Sequence, residues 1–178
     1  MRAGGCRVGT LAGMSATPDT RSTATTYSNV LEMIGNTPMF ELEQMDTGPC
    51  RLFAKCEFLN PTGSIKDRIA LTMVESAEAD GRLDPNGTHK PTIVEATAGN
   101  TGLGLALVAG QRGYNLKVVV PDKMSQEKIQ HLTAMGADVV MARSDVTQGH
   151  PDYYQSVAAR LAEETPNAIF INQFGNED

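Results

Sequence analysis

The run Leu116-Lys117-Val118-Val119-Val120, closed by Pro121, constrains the fold more than any other part of the chain. It is almost continuously aliphatic, with no alternation. That is the pattern of a strand covered on both faces, and such strands belong to parallel sheets flanked by helices. The neighbouring segments agree. Residues 64–80 carry Ile65, Ile69, Met73 and Ala77 at helical spacing and stop at Gly81, which predicts a helix. Residues 93–95 predict a strand, 101–112 a largely apolar helix, 138–142 and 168–171 two more strands, and 151–164 another helix. Ser125 is placed to cap a helix over 126–135 that Gly136 ends. Residues 51–57 alternate with period two, so Leu52, Ala54 and Cys56 share one strand face, and Cys56 reads as core. Strands alternating with helices imply right-handed βαβ units around an open parallel sheet, an α/β fold with flanking helices. No internal repeat is present.

Composition sets the broad class. The 178 residues are 40% hydrophobic, with no apolar run long enough to span a bilayer, so a soluble cytoplasmic protein is expected. The net charge of −6 without a Lys/Arg-rich patch argues against a nucleic-acid partner. Cys6, Cys50 and Cys56 form no C-x-x-C pair, which suits reduced thiols. His89, His131 and His150 lie far apart without acidic or thiol partners at ligand spacing, so no metal site is expected. Residues 1–26 are rich in Ser, Thr, Ala and Gly and hold three arginines and one acid. They lack the apolar core of a secretory signal and read as a disordered tail, with a transit peptide as the alternative.

The segment Asn60-Pro61-Thr62-Gly63-Ser64-Ile65-Lys66-Asp67-Arg68 sets a lysine in the first turn of the predicted helix. Ser64 is a good N-cap and Asp67 stands in a capping-box-like position. A helix N-terminus carries partial positive charge, so a lysine there costs roughly 0.3–1 kcal/mol when merely exposed. The same field favours the free amine, which is what a Schiff-base nucleophile needs. A solvated surface lysine is the plainer reading of Lys66 taken alone.

A second unusual segment follows downstream. Glu95-Ala96-Thr97-Ala98-Gly99-Asn100-Thr101-Gly102-Leu103-Gly104 runs from strand through a tight polar loop into a helix. Such a loop offers backbone N–H groups, two hydroxyls and an amide at a helix N-terminus, a ready anion site. The glycine order is G-x-x-G-x-G with no G-K-[ST], so it matches neither the dinucleotide fingerprint nor the P-loop. Without chemistry, it is a turn that packs a helix against a sheet.

Together with Ile34-Gly35-Asn36-Thr37-Pro38 and Asn172-Gln173-Phe174, these segments resemble the cysteine synthase and cystathionine β-synthase family of pyridoxal-phosphate (PLP) enzymes, fold type II, tryptophan-synthase-β-like. The resemblance runs from about Ile34 to the last residue. It implies that Lys66 holds PLP covalently and later moves the α-proton, and that Asn100 hydrogen-bonds the cofactor's ring hydroxyl. Thr97, Ala98, Gly99 and Thr101 are implied to grip the substrate α-carboxylate, with Gln173 adding a side-chain donor. Ala98 departs from the pattern, since many relatives carry serine there, and so does the ending Asn176-Glu177-Asp178, where many read Asn-Pro.

Length is the largest departure, because family members are considerably longer. A Gly-rich phosphate loop and a hydroxyl residue facing the pyridine nitrogen are implied by the resemblance and do not follow. The expected organisation is therefore a tail over 1–26 and an N-terminal portion of the enzyme over 27–178. Within it lies a smaller α/β domain at about 60–145, with the start of a larger domain that is incomplete. The implied reaction is β-replacement on O-acetylserine or serine, with sulfide giving cysteine or homocysteine giving cystathionine. A homodimer is implied for the full-length protein. Residues 121–128 are similar to the cystathionine β-synthase branch; cysteine synthase is placed first as the commoner activity. A catalytically incompetent fragment and a serine/threonine dehydratase are the other readings.

Overall fold

The structure is a computed structural model, and it describes residues 25–175. The reading of residues 1–26 as a tail falls almost entirely outside that range.

Six strands and four α-helices follow one another from Met39 to Phe170. Strands β1 (Met39–Glu41) and β2 (Phe53–Lys55) pair antiparallel as a small hairpin. A 3-10 turn, Glu57–Leu59, leads to helix α1 (Lys66–Ala79). Next come β3 (Thr92–Ala96), α2 (Asn100–Arg112), β4 (Asn115–Pro121), α3 (Gln126–Ala134), β5 (Asp138–Ala142), α4 (Tyr154–Glu164) and β6 (Ala168–Phe170). Strands β3 to β6 form one parallel sheet in the order β5-β4-β3-β6.

The aliphatic run at β4 lies in the middle of this sheet, as its lack of alternation requires. Val118 and Val120 join a core with α1, α2 and Leu132 of α3, while Val119 joins Val94 and Ala96 against Ala158 and Ala162 of α4. Fully burying each such side chain is worth about 1.5–3 kcal/mol, so the two-sided cover stabilises the centre most. Helices α2 and α3 cover one face and α4 the other. That arrangement lets the chain step β3-β4-β5 in one direction and then return past β3 to β6 with right-handed crossovers. The strand order therefore reverses between β3 and β6.

Three expectations shift. The loop before Lys66 does not follow a strand of the parallel sheet, because the expected strand over 51–57 shortens to Phe53–Lys55, pairs only with β1 and gives way to the 3-10 turn. Leu52 is accordingly exposed, while Cys56 is buried as expected. The helix expected over 64–80 opens at Lys66, and the one over 151–164 opens at Tyr154. Among the described residues no helix is long and apolar enough to cross a membrane.

Candidate active site

The turn that carries Lys66 is built by its own residues. Gly63 takes φ +82°, a left-handed conformation that other side chains strain to adopt. Ser64 Oγ accepts the Lys66 N–H at 3.1 Å, giving the cap oxygen expected of it even though the helix starts two residues later. Asp67 is wholly buried and folds back over the turn, accepting the Thr62 N–H at 2.7 Å and bonding the Thr62 hydroxyl. A capping box would have sent it to the Ser64 backbone instead. Lys66 is half-buried, and its amine has no hydrogen bond or ion pair among the described residues.

A clasp fastens this turn to the hairpin. Arg68 Nε and Nη2 donate to Glu57 Oε2 and Oε1 at 2.8 and 3.0 Å, a bidentate pair. The Thr37 hydroxyl donates to Glu57 at 2.7 Å and Asn60 Nδ2 at 2.9 Å. Asn60 Oδ1 in turn accepts the Gly35 N–H at 2.8 Å. The Arg68 guanidinium, helped by Thr37, holds the Glu57 carboxyl well below its usual range, at about 2. This network gives Ile34-Gly35-Asn36-Thr37-Pro38 its structural task, which is to brace the lysine turn.

The loop after β3 is committed at two points and open at three. Thr97 N–H donates to Val119 O at 3.1 Å, and Gly99 N–H donates to the Thr97 hydroxyl at 3.1 Å. The N–H groups of Ala98, Asn100 and Thr101 have no hydrogen-bond partner among the described residues. Unpaired N–H groups at the start of a helix form an anion cradle. Ala98 and Asn100 are exposed, Gly99 is half-buried, and Thr97 and Thr101 are buried.

Two close approaches put the lysine and the loop side by side. A Cβ at Gly104 would stand 3.0 Å from both the Lys66 carbonyl oxygen and the Ala70 Cβ, so α1 and α2 cross nearly backbone to backbone there. A Cβ at Gly102 would lie 3.1 Å from the Thr97 and Leu132 methyls, which seats the first turn of α2 on the sheet.

Gln173, just past β6, meets the same loop. The Thr101 hydroxyl donates to Gln173 Oε1 at 2.6 Å, while the Gln173 N–H donates to Glu95 Oε2 at 3.1 Å and its Nε2 to Glu95 Oε1 at 3.4 Å. Glu95 is wholly buried, and burial pushes its carboxyl up to about 7. Asn172 takes φ +51°, turning the chain out of β6 toward this contact. The loops after β3 and β6 lie where the strand order reverses, at the carboxyl ends, the usual ligand position in open α/β sheets. A crevice of about 20 Å³ between Gly99, Asn100, Leu103, Met124 and Lys128 opens beside them. Larger surface hollows sit at the amino ends of the strands, around His89, Lys90 and Asn167 and around Thr92, Asn115 and Lys117, away from this chemistry.

Residues 30–178 match the family described as pyridoxal-phosphate dependent enzyme. The chain belongs to that family. It is 44% identical over 151 residues to cystathionine beta-synthase of Apis mellifera, covering 83% of this chain and 29% of the bee protein. It is 46% identical over 145 residues to cysteine synthase 1 of Neurospora crassa, covering 80% of this chain and 37% of the fungal one. A hydrogen sulfide-producing enzyme from Fusobacterium nucleatum superposes with a TM-score of 0.74 at 37% identity, covering 86% of this chain and 48% of that one. O-acetylserine dependent cystathionine beta-synthase from Helicobacter pylori gives 0.73 at 34%, covering 86% and 49%. The chain thus spans well under half the length of these curated relatives and about half that of the solved chains.

The PLP family's fold type II architecture, a parallel sheet with flanking helices, is the one described above. The residues present fit the aldehyde end of the cofactor, since the Lys66 amine is unengaged and adjoins an anion-ready loop. The structure brings the predicted Lys66, the loop from Thr97 to Gly102 and Gln173 together at one edge of the sheet. Sequence reasoning missed Glu95 as a partner of Gln173 and Glu57 as the anchor of Arg68; no local pattern marks either contact, 78 and 11 residues apart.

Proposed function

We propose that this chain carries the lysine side of a β-replacement centre that makes cysteine from O-acetylserine, or serine, and sulfide. The observation that carries the proposal is the pinning of Lys66 by Gly104 beside a loop with three unpaired N–H groups. Lys66 Nζ would bond the cofactor's aldehyde carbon and afterwards take the substrate α-proton. The N–H groups of Ala98 and Thr101, with the Gln173 amide, would hold the α-carboxylate, and Thr97 and Gly99 would shape the loop through their internal bond. The Asn100 side chain, exposed at the first turn of α2, would hydrogen-bond the ring hydroxyl. When bound, PLP supplies an electron sink for charge that develops as the α-proton leaves. The four-stranded sheet with its helices would form the smaller lobe of the enzyme, the hairpin would begin the larger, and the full-length protein would be a cytoplasmic homodimer.

Homocysteine as acceptor, giving cystathionine, is the second reading. It is supported by 44% identity over 151 residues to the bee cystathionine beta-synthase, as the first reading is by 46% over 145 residues to the fungal cysteine synthase.

The test is the visible absorption of the chain mixed with PLP, beside Lys66→Ala. A band that needs Lys66 is the expected result, and equal spectra would sink the assignment. Mass spectrometry after adding O-acetyl-L-serine with sulfide or with homocysteine then separates cysteine from cystathionine. A PLP band without either product would mark the chain as incompetent alone.

A further inference from the structure

We propose that Glu95 is a positioning residue for the substrate carboxylate, holding the Gln173 amide, and through it the Thr101 hydroxyl, at the mouth of the loop after β3. This rests on reading that loop as the α-carboxylate site. Glu95 stands one residue from the end of β3 with its side chain sealed from solvent. A buried carboxylate is costly unless its oxygens are satisfied. No cation pairs with it among the described residues; its partners are all amide N–H groups, Ala96 N at 2.9 Å, the Asn172 backbone, and the Gln173 backbone and side chain.

These bonds settle how the Gln173 amide faces. Above about pH 7, where the Glu95 carboxyl is ionised, it accepts only, so Nε2 turns toward Glu95, and Oε1 is left to take the Thr101 hydroxyl proton. One N–H of the Gln173 amide remains for a ligand, and the Thr101 hydroxyl oxygen keeps its lone pairs toward the loop. Without Glu95 the Gln173 side chain keeps, among the described residues, only its bond to the Thr101 hydroxyl, which can rotate to donate or accept, so Thr101 loses an acceptor of defined orientation. Lys66 lies on another element, α1, and makes no hydrogen bond or ion pair with Glu95. Removing the carboxylate is therefore expected to weaken amino-acid binding and leave cofactor attachment alone. Tyr154 on α4 is a titratable group within electrostatic reach of Glu95.

The test uses the full chain with PLP, titrated with L-serine and followed by its visible spectrum. Glu95→Leu is expected to raise the serine dissociation constant about tenfold or more, because buried donors are left unpaired. The isosteric Glu95→Gln is expected to fall between, and both should keep the cofactor band. The side-chain amide resonance of Gln173, read by NMR without cofactor or serine, should move in both variants. Unchanged serine binding in a folded Glu95→Gln, or an unmoved Gln173 resonance, overturns the assignment while the loop reading stands. No serine response in the unsubstituted chain overturns the loop reading, and this assignment with it. Should Glu95→Leu fail to fold, Glu95→Gln alone decides.

Discussion

Gly104 lies against Lys66 so closely that a methyl group there would stand 3.0 Å from the lysine's carbonyl oxygen. The obstacle is backbone, which cannot rotate away as a flexible side chain would. Gly104→Ala is expected to part α1 and α2 at their N-terminal ends and to destabilise the chain by about 1–3 kcal/mol. Urea unfolding measures the loss, and the PLP band should weaken with it. Full stability with an unweakened band would show that the crossing does not place the lysine.

Arg68→Ala should cost stability in a pH-dependent way. The Glu57 carboxyl is held at about 2 in the folded chain, below its ordinary 4.5. A depressed carboxylate stabilises the fold above 4.5, and that contribution fades as pH falls from 4.5 toward 2. Thermal melts should thus show a lowered Tm for Arg68→Ala at neutral pH and a gap that closes in acid. A gap constant across pH would break the link to Glu57.

Glu95 works in the opposite direction. Its carboxyl is raised from 4.5 to about 7, so the folded chain binds an extra proton between those values. Stability attributable to Glu95 is then complete below 4.5 and lost as pH rises through 7, by at most roughly 3 kcal/mol. Glu95→Gln should flatten that part of the pH profile in denaturant melts. An identical slope in both proteins would show that Glu95 does not titrate there.

The hairpin leaves Met39 and Phe53 exposed on one face and Phe40 on the other, with Phe58, Leu59 and Ile65 exposed toward the lysine turn. Large apolar area of this kind drives association. Light scattering of the 178-residue chain is expected to give concentration-dependent, polydisperse assemblies, reduced by Phe40→Ser with Phe58→Ser. A single species of fixed mass would contradict it.

The central sheet was legible because its strands are nearly uninterrupted aliphatic runs and its helices end at Gly81, Gly113 and Gly136. Lys66 and the loop from Thr97 to Gly102 were legible because each breaks a local rule, a cation at a helix start and a polar glycine corner after a buried strand. The hairpin was not. Its strands have three residues each, too few to show a period, and Phe40 and Phe53 point their apolar side chains outward. Glu95 was hidden for a different reason. A carboxylate beside a polar loop reads as solvated, and only the closing of β6 over β3 shows that it is sealed in.

The Arg68–Glu57 clasp has a mechanical consequence. Helix α1 is wedged on α2 by Gly104, so its first turn is bound to the sheet on one side and to the hairpin on the other. Any swing of the sheet relative to the hairpin must tear the clasp or rotate about it. Lys66, two residues from Arg68, sits at the fulcrum of such a swing, where displacement is least, while Thr101 and Gln173 ride on the moving arm.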